Sequence, residues 1–242
     1  MQVFITDTYK ALSEQAANDV VQLMRSRNNP LLCAASGDTP AGLYKEIVDK
    51  VNKNELDISD WSFAGLDEWV GMNENDEGSC RFNLNDQLFR PLKIAANKIS
   101  FFDGKANDLH KECEDVESFI LQKGGIDVAI LGLGMNGHIG MNEPGTSPAL
   151  RSHVTALDPI TQKVGQKYFK EKQQLTAGIT LGLATLMESS YIILLVSGSH
   201  KAEIVKKILE EEISEQLPGS LLRNHPSLKI YLDAEAARLI RF

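Results

Sequence analysis

The chain has 242 residues, 43% of them hydrophobic and 24% charged, with a formal charge of −8; this composition describes a globular protein with one sizeable core, not a disordered or membrane-spanning chain. The acidic balance, with no strong basic run, excludes nucleic acid and acidic membrane as partners, so charge that binds an anion has to be local. Cys33, Cys80 and Cys113 form no C-x-x-C pair and predict buried thiols instead of a disulfide framework or a zinc site.

In chain order, apolar runs at 3–6, 30–36, 61–66, 99–104, 126–134, 191–198 and 228–233 read as strands. Between most of them, 43–51, 83–92, 110–122 and 202–211 place apolar residues three and four apart with charges between, the pattern of helices that cover a sheet. Strands alternating with helices predict an α/β fold, a doubly wound, mostly parallel sheet with helices on both faces. No repeat or linker divides the chain, which reads as a single domain over 1–242. The opening MQVFITDTYKAL holds neither a basic region nor a cleavage site, so no secretory signal is expected and the chain reads as cytoplasmic.

Open α/β sheets bind ligands beyond the carboxyl ends of their strands, and four of the predicted ends carry polar residues. After the second strand, Ser36, Gly37, Asp38 and Thr39 lead into a helix predicted to open at Pro40, and free amides at a helix start attract phosphate. An Asp38 side chain facing such a ligand would repel it. After the third strand, Asp67 and Glu68 are adjacent carboxylates that point in opposite directions, so one can face a ligand while the other is structural. The stretch 197–201, SGSHK, is another small-residue turn entering a helix, with Lys201 where the helix dipole disfavours a cation unless an anion is present.

The richest end is GLGMNGHIGMNEPG, where Asn136, His138, Asn142 and Glu143 fall within eight residues. Its Gly132, Gly134 and Gly137 match G-x-G-x-x-G after a strand, but Gly140, Pro144, Gly145 and Pro148 prevent the helix that a dinucleotide site requires. A histidine beside a carboxylate, with an acid elsewhere, can move protons on carbon and oxygen near neutral pH. No serine elbow or H-E-x-x-H competes, and His110, His153, His200 and His225 show no ligand spacing, so no metal is expected.

Taken in order, these segments resemble the glucosamine-6-phosphate deaminase/isomerase family over nearly the full length, a group related to the 6-phosphogluconolactonases. SGDTPAGLYKEI is similar to its phosphate loop, GLDEWVG to its D-E-Y-V-G segment, GHIGMNEPG to its G-H-I-x-x-N-E-P signature and GSHKA to its G-x-x-K-A turn. The resemblance implies a Rossmann-like fold of deaminase/isomerase type that converts glucosamine 6-phosphate and water to fructose 6-phosphate and ammonia. Asp67 would be the base moving a proton from C2 to C1, while Asn136, His138 and Glu143 would govern ring opening. Ser36, Gly37, Asp38 and Thr39 would hold the phosphate together with Lys201 and Lys167, the latter standing where the family's S-R-F-F segment has arginine. No cofactor or metal is implied, and the partner is a small amino-sugar phosphate.

This chain reads SGDTP where the family commonly has T-G-S-T-P or T-G-G-T-P, and Asn136 stands where some members have aspartate. His153 and Thr155 stand where larger members carry basic residues for an allosteric ligand, so little activation and a monomer or small homo-oligomer are expected. The alternatives are the same chemistry on galactosamine 6-phosphate, lactone hydrolysis, which the N-E-P segment disfavours, and a non-catalytic sugar-phosphate sensor.

Overall fold

The computed structural model describes residues 1–241. The chain opens with β1 (Gln2–Thr6), α1 (Tyr9–Arg25), β2 (Leu31–Ala34), α2 (Asp38–Asn52), β3 (Ser62–Gly65) and β4 (Asp67–Trp69). Next come α3 (Cys80–Leu84), which runs into a π-helical turn at Asn85–Phe89, then β5 (Ile99–Ser100), α4 (Leu109–Gln122), β6 (Val128–Gly132) and β7 (His153–Ala156). The last part comprises α5 (Pro159–Gly165), a 3-10 turn at Gln166–Tyr168, β8 (Ala177–Thr180), α6 (Leu183–Met187), β9 (Tyr191–Val196), a 3-10 turn at Ser199–Lys201, α7 (Ala202–Glu210), α8 (Pro218–Leu221), β10 (Leu228–Asp233) and α9 (Ala234–Ala237).

Seven strands form one sheet in the order β1-β10-β9-β6-β2-β3-β5, with every neighbouring pair parallel. Its central strands β2, β3, β6 and β9 are apolar on both sides because helices cover both faces. Leu32, Ala34, Val128 and Ile130 pack with α1 and α2, while Leu31, Cys33, Ala129 and Leu131 pack on the other face with α4, α6 and α7. After β1 the chain runs outward through β2, β3 and β5, then returns to place β6 on the other side of β2. Connections therefore diverge between the carboxyl ends of β2 and β6, which opens a crevice there.

A second sheet, β4-β8-β7, is antiparallel and was not foreseen from the sequence. Its strands have three or four residues each, too few to show a period of two against the surrounding loops. Trp69, Cys80, Met141, Leu157 and Leu175 form a small core beneath it. The predicted helix at 83–92 is instead α3 followed by the wider π turn. Helix α2 begins at Asp38, two residues before Pro40, because Gly37 takes a φ of 118° and turns the chain directly into the first helical residue. Pro40 then sits within the first turn, where an N–H has no intrahelical acceptor to lose. Helix α1 was also unmarked, since its buried stripe of Leu12, Ala16, Ala17, Val20, Val21 and Met24 relies on alanines of low hydrophobic contrast.

Helices α1 and α2 touch at Gly42, where an added Cβ would lie 2.3 Å from Ser13 Oγ and 2.8 Å from the Tyr9 hydroxyl. In an open helix interior Gly→Ala stabilises by about 1 kcal/mol. At this crossing the sign reverses, because overpacking costs roughly 1–3 kcal/mol. Gly42→Ala is expected to melt a few degrees below wild type in a thermal scan, and an unchanged or higher Tm would contradict the close crossing.

Candidate active site

A cavity of about 420 Å³ opens at the carboxyl ends of the strands, at the crevice between β2 and β6. Its walls come from the turn after β2, the turn after β6, the turn after β9, and the segment 160–168 that overhangs them. Of the residues singled out in the sequence, Ser36, Gly37, Asp38, Thr39, Asp67, His138, Lys167 and Lys201 line this cavity. Asn136 and Glu143 lie behind His138 and reach the cavity only through it.

His138 is held from several sides. Its ring Nδ1 lies 3.2 Å from Glu143 Oε2 and 2.9 Å from the Thr161 hydroxyl, and its backbone N–H donates to Asn136 Oδ1 at 3.2 Å. Asn136 Nδ2 donates to the same Glu143 oxygen at 2.8 Å. Burial alone would raise the Glu143 carboxyl, but the hydrogen bond and charge of His138, with Thr161 and Asn136, hold it below its ordinary value. An ionised carboxylate only accepts, so Nδ1 carries the hydrogen and Nε2 is the basic nitrogen left for a ligand. The ring edge packs on Gly134, where an added Cβ would stand 2.4 Å from Nε2, so no larger residue fits beneath it.

Asp67 and Glu68 have separate environments, as the alternation of a strand requires. Glu68 is fully buried and accepts the backbone amides of Trp69, Cys80 and Arg81 at 2.8–2.9 Å. Two of those amides belong to the first turn of α3, so the carboxylate satisfies donors that the helix cannot. Desolvation still outweighs these bonds and pushes Glu68 up to about 7. Asp67 faces the cavity, where burial pushes its carboxyl up to about 6 against the opposing effects of the Cys80 thiol and His138.

Opposite these groups, the first turn of α2 presents amides that have no intrahelical acceptor. Lys201 Nζ donates to the Leu133 carbonyl at 2.5 Å, and burial together with the charge of Lys167 pushes it down to about 8. Lys167 Nζ is 2.6 Å from Asp38 Oδ2. The Asp38 side chain is thus turned to a lysine, and its backbone amide remains the group it can offer an anion.

Asn142 does not join the cluster. It is buried, and its Nδ2 donates to the carbonyls of Ile139 and Leu181 at 2.8 and 2.9 Å, tying the loop after β6 to the end of β8. Sequence reasoning missed Thr161, which α5 delivers to His138 from a segment with no motif, and Tyr9, whose hydroxyl bridges the carbonyls of Asp38 and Thr39. Cys80 also lines the cavity, next to Asp67.

A protein-family model described as glucosamine-6-phosphate isomerases/6-phosphogluconolactonase matches residues 6–230. The glucosamine-6-phosphate deaminase of Clostridium tetani is 39% identical over 241 residues, covering 99% of this chain and 100% of that one. The Bacillus subtilis glucosamine-6-phosphate deaminase 1 is 35% identical over 240 residues, 99% of each chain. A solved monomeric glucosamine-6-phosphate deaminase superposes with a TM-score of 0.95 at 35% identity, over 99% of this chain and 100% of that one. The 6-phosphogluconolactonase of Trypanosoma brucei shares the fold, with a TM-score of 0.77 at 19% identity over 99% and 98% of the two chains.

The raised Asp67 carboxyl has a consequence for stability. The folded protein holds this proton more tightly than the unfolded chain, so stability from this group is present at low pH and is lost as pH rises to about 6 and beyond. Asp67→Asn removes that loss and is expected to melt above wild type at pH 7.5. The advantage should shrink through the window between the ordinary carboxyl value and about 6, and vanish near pH 4. Scanning calorimetry at the two pH values checks this, and an equal offset at both would contradict it.

Proposed function

The chain belongs to the family of glucosamine-6-phosphate isomerases and 6-phosphogluconolactonases, and we propose from this premise that its cavity carries out an amino-sugar-phosphate deamination. The reaction converts glucosamine 6-phosphate and water to fructose 6-phosphate and ammonia, the activity for which the relatives at 35–39% identity are named. The observation that carries the reading is the pairing of an enclosed carboxylate at about 6, Asp67, with a carboxylate-backed imidazole, His138, in one cavity beside two lysines.

In the proposed sequence, His138 Nε2 takes the proton of the anomeric hydroxyl and returns it to the ring oxygen, which opens the ring. Glu143, Thr161 and Asn136 hold the imidazole in the required tautomer and steady its charge. The C1 carbonyl so formed acidifies the C2–H bond. Asp67 takes that proton while the C1 oxygen takes one from the substrate's C2 ammonium, leaving a neutral enolamine; Asp67 then delivers its proton to C1, so that C1 becomes the hydroxymethyl carbon and C2 a protonated imine. Water adds to the imine carbon and ammonia leaves, giving the ketose. A carboxyl near 6 is basic enough to accept a carbon-bound proton and acidic enough to return it at neutral pH. The phosphate would rest on the amides at the start of α2, with Lys201 and Lys167 supplying charge.

Lactone hydrolysis has weaker support, since the solved lactonase resembles this chain in fold at 19% identity. The monomeric state of the solved deaminase supports a monomer here. No described helix is long and apolar enough to cross a membrane. A phosphorylated sugar does not cross membranes unaided, so the proposal puts the protein in the cytoplasm with its substrate.

Ammonia release from purified protein with glucosamine 6-phosphate, and separately with galactosamine 6-phosphate, tests the reading. Release from the first is expected, lowered about 10²–10⁴-fold in Asp67→Asn and in His138→Ala. Acid production from 6-phosphogluconolactone with no ammonia from either sugar would overturn it, and release from galactosamine 6-phosphate alone would change the epimer. In the same assay kcat/KM should fall as pH drops below about 6, where Asp67 takes up its proton, and a flat profile to pH 5 would remove Asp67 as the base. Asn136→Asp should turn over more slowly but measurably, because an aspartate oxygen still accepts the His138 backbone N–H while the donation to Glu143 is lost; a loss as deep as that of His138→Ala would contradict a positioning role.

A further inference from the structure

Lys167 reaches the cavity with a counter-ion already attached. Its ammonium is 2.6 Å from Asp38 Oδ2, and both residues line the cavity beside the start of α2. We propose that Asp38 is the built-in counter-ion of the phosphate subsite: it competes with the ligand's phosphate for Lys167 and thereby sets how tightly the protein holds phosphorylated sugars. This rests on the phosphate placement of the proposed function.

The carboxylate is placed by its backbone. Gly37, with its φ of 118°, turns the chain into α2, and the Tyr9 hydroxyl spans the carbonyls of Asp38 and Thr39 at 2.9 and 3.0 Å while accepting from the Gly42 amide at 2.8 Å. Lys167 is placed independently. Its 3-10 turn carries Tyr168, whose hydroxyl lies 3.2 Å from where a Gly37 Cβ would stand, so the two segments meet even without the ion pair. Lys167 also sits over the Tyr168 ring, 4.8 Å from its centroid. Removing the Asp38 charge therefore frees the lysine and leaves its position held by other contacts.

Charge counting shows the consequence. The subsite has two lysines, Lys167 and Lys201, close enough that the first depresses the second, and one opposing carboxylate, Asp38. A phosphate that approaches Lys167 must displace or share it with Asp38 and also faces that carboxylate's repulsion. The pair is exposed, with side-chain accessibilities of 49% for Lys167 and 74% for Asp38, so water and salt temper the effect to a modest factor. The same arrangement gives Lys167 a partner whether or not the sugar carries a phosphate, which narrows the discrimination against unphosphorylated sugars and eases release of a phosphorylated product.

The test is titration calorimetry of inorganic phosphate and of fructose 6-phosphate into the full chain, wild type against Asp38→Asn. The variant is expected to bind both roughly two- to ten-fold more tightly, with a steeper loss of affinity on adding salt. In a Lys167→Met background the gain from Asp38→Asn should disappear. Equal or weaker binding by Asp38→Asn overturns the proposal, as does a gain that persists without Lys167. A matched melting temperature for Asp38→Asn confirms that affinity is compared between folded proteins, and Asp38→Ser supplies a second variant if it is not matched. Binding is read without turnover, so an absence of ammonia release would count against the deaminase reading and leave the counter-ion result standing on its own.

Discussion

The reversal of strand order between β2 and β6 is the constraint on which the rest of the molecule depends. Seven parallel strands direct all their carboxyl ends to one side, and the divergence at this point leaves a space that neither outgoing connection fills. The turns after β2, β6 and β9 line that space, and the short β4 adds Asp67 beside them because its backbone continues from β3 with Leu66 still donating to Ala34 of β2. Close approach of the turns demands missing side chains. Gly134 gives room for the His138 ring, and Gly140, with a φ of 57°, brings the loop after β6 against Thr180 of β8.

Three carboxylates near the cavity show how a single fold separates acids by surroundings. Burial raises the affinity of each for its proton, and the donors around each decide what remains of that rise. Glu143 has a histidine, an amide and a hydroxyl gathered at it, and ends below its ordinary value. Glu68 has three backbone amides and no cation in direct contact, and ends near 7. Asp67 has weaker help from a thiol and a more distant imidazole, and ends near 6. Only Asp67 of the three also faces the cavity, so the group with proton-transfer character is also the one with access.

Those parts of the fold that advertise themselves by period were legible in the sequence. The strands of the main sheet are apolar runs bounded by glycine or polar turns, and three of the four predicted helices lie where the spacing of apolar residues put them. The antiparallel sheet was not legible, because its pairing depends on Asp67, His153 and Thr180 meeting from three distant segments. In the candidate site the same division holds. Residues in dense motifs, such as His138 and Glu143, could be picked out locally, whereas Thr161 reaches His138 only because α5 folds over the cavity. Strand alternation alone could state that Asp67 and Glu68 differ but not which faces the cavity, a choice only the family resemblance offered. The outcome depends on where the first turn of α3 lies, and its amides claim Glu68.

The two ends of a bound sugar phosphate would be referenced to one strand. Lys201, proposed to face the phosphate, is fixed by the carbonyl of Leu133, and the next residue, Gly134, is the surface on which the His138 ring rests. Both follow directly from β6, which is hydrogen-bonded on each side to β2 and β9 in the centre of the sheet. The anion subsite and the proposed ring-opening base are therefore both braced on adjacent residues at the end of a buried strand. Positioning of this kind keeps reacting groups aligned at little entropic cost, since the sheet has already been ordered by folding. Lys167 belongs to the opposite category. It is carried by the overhanging segment and paired to an exposed carboxylate, so it suits adjustment of affinity, while the half-buried Lys201, held by the Leu133 carbonyl, suits placement.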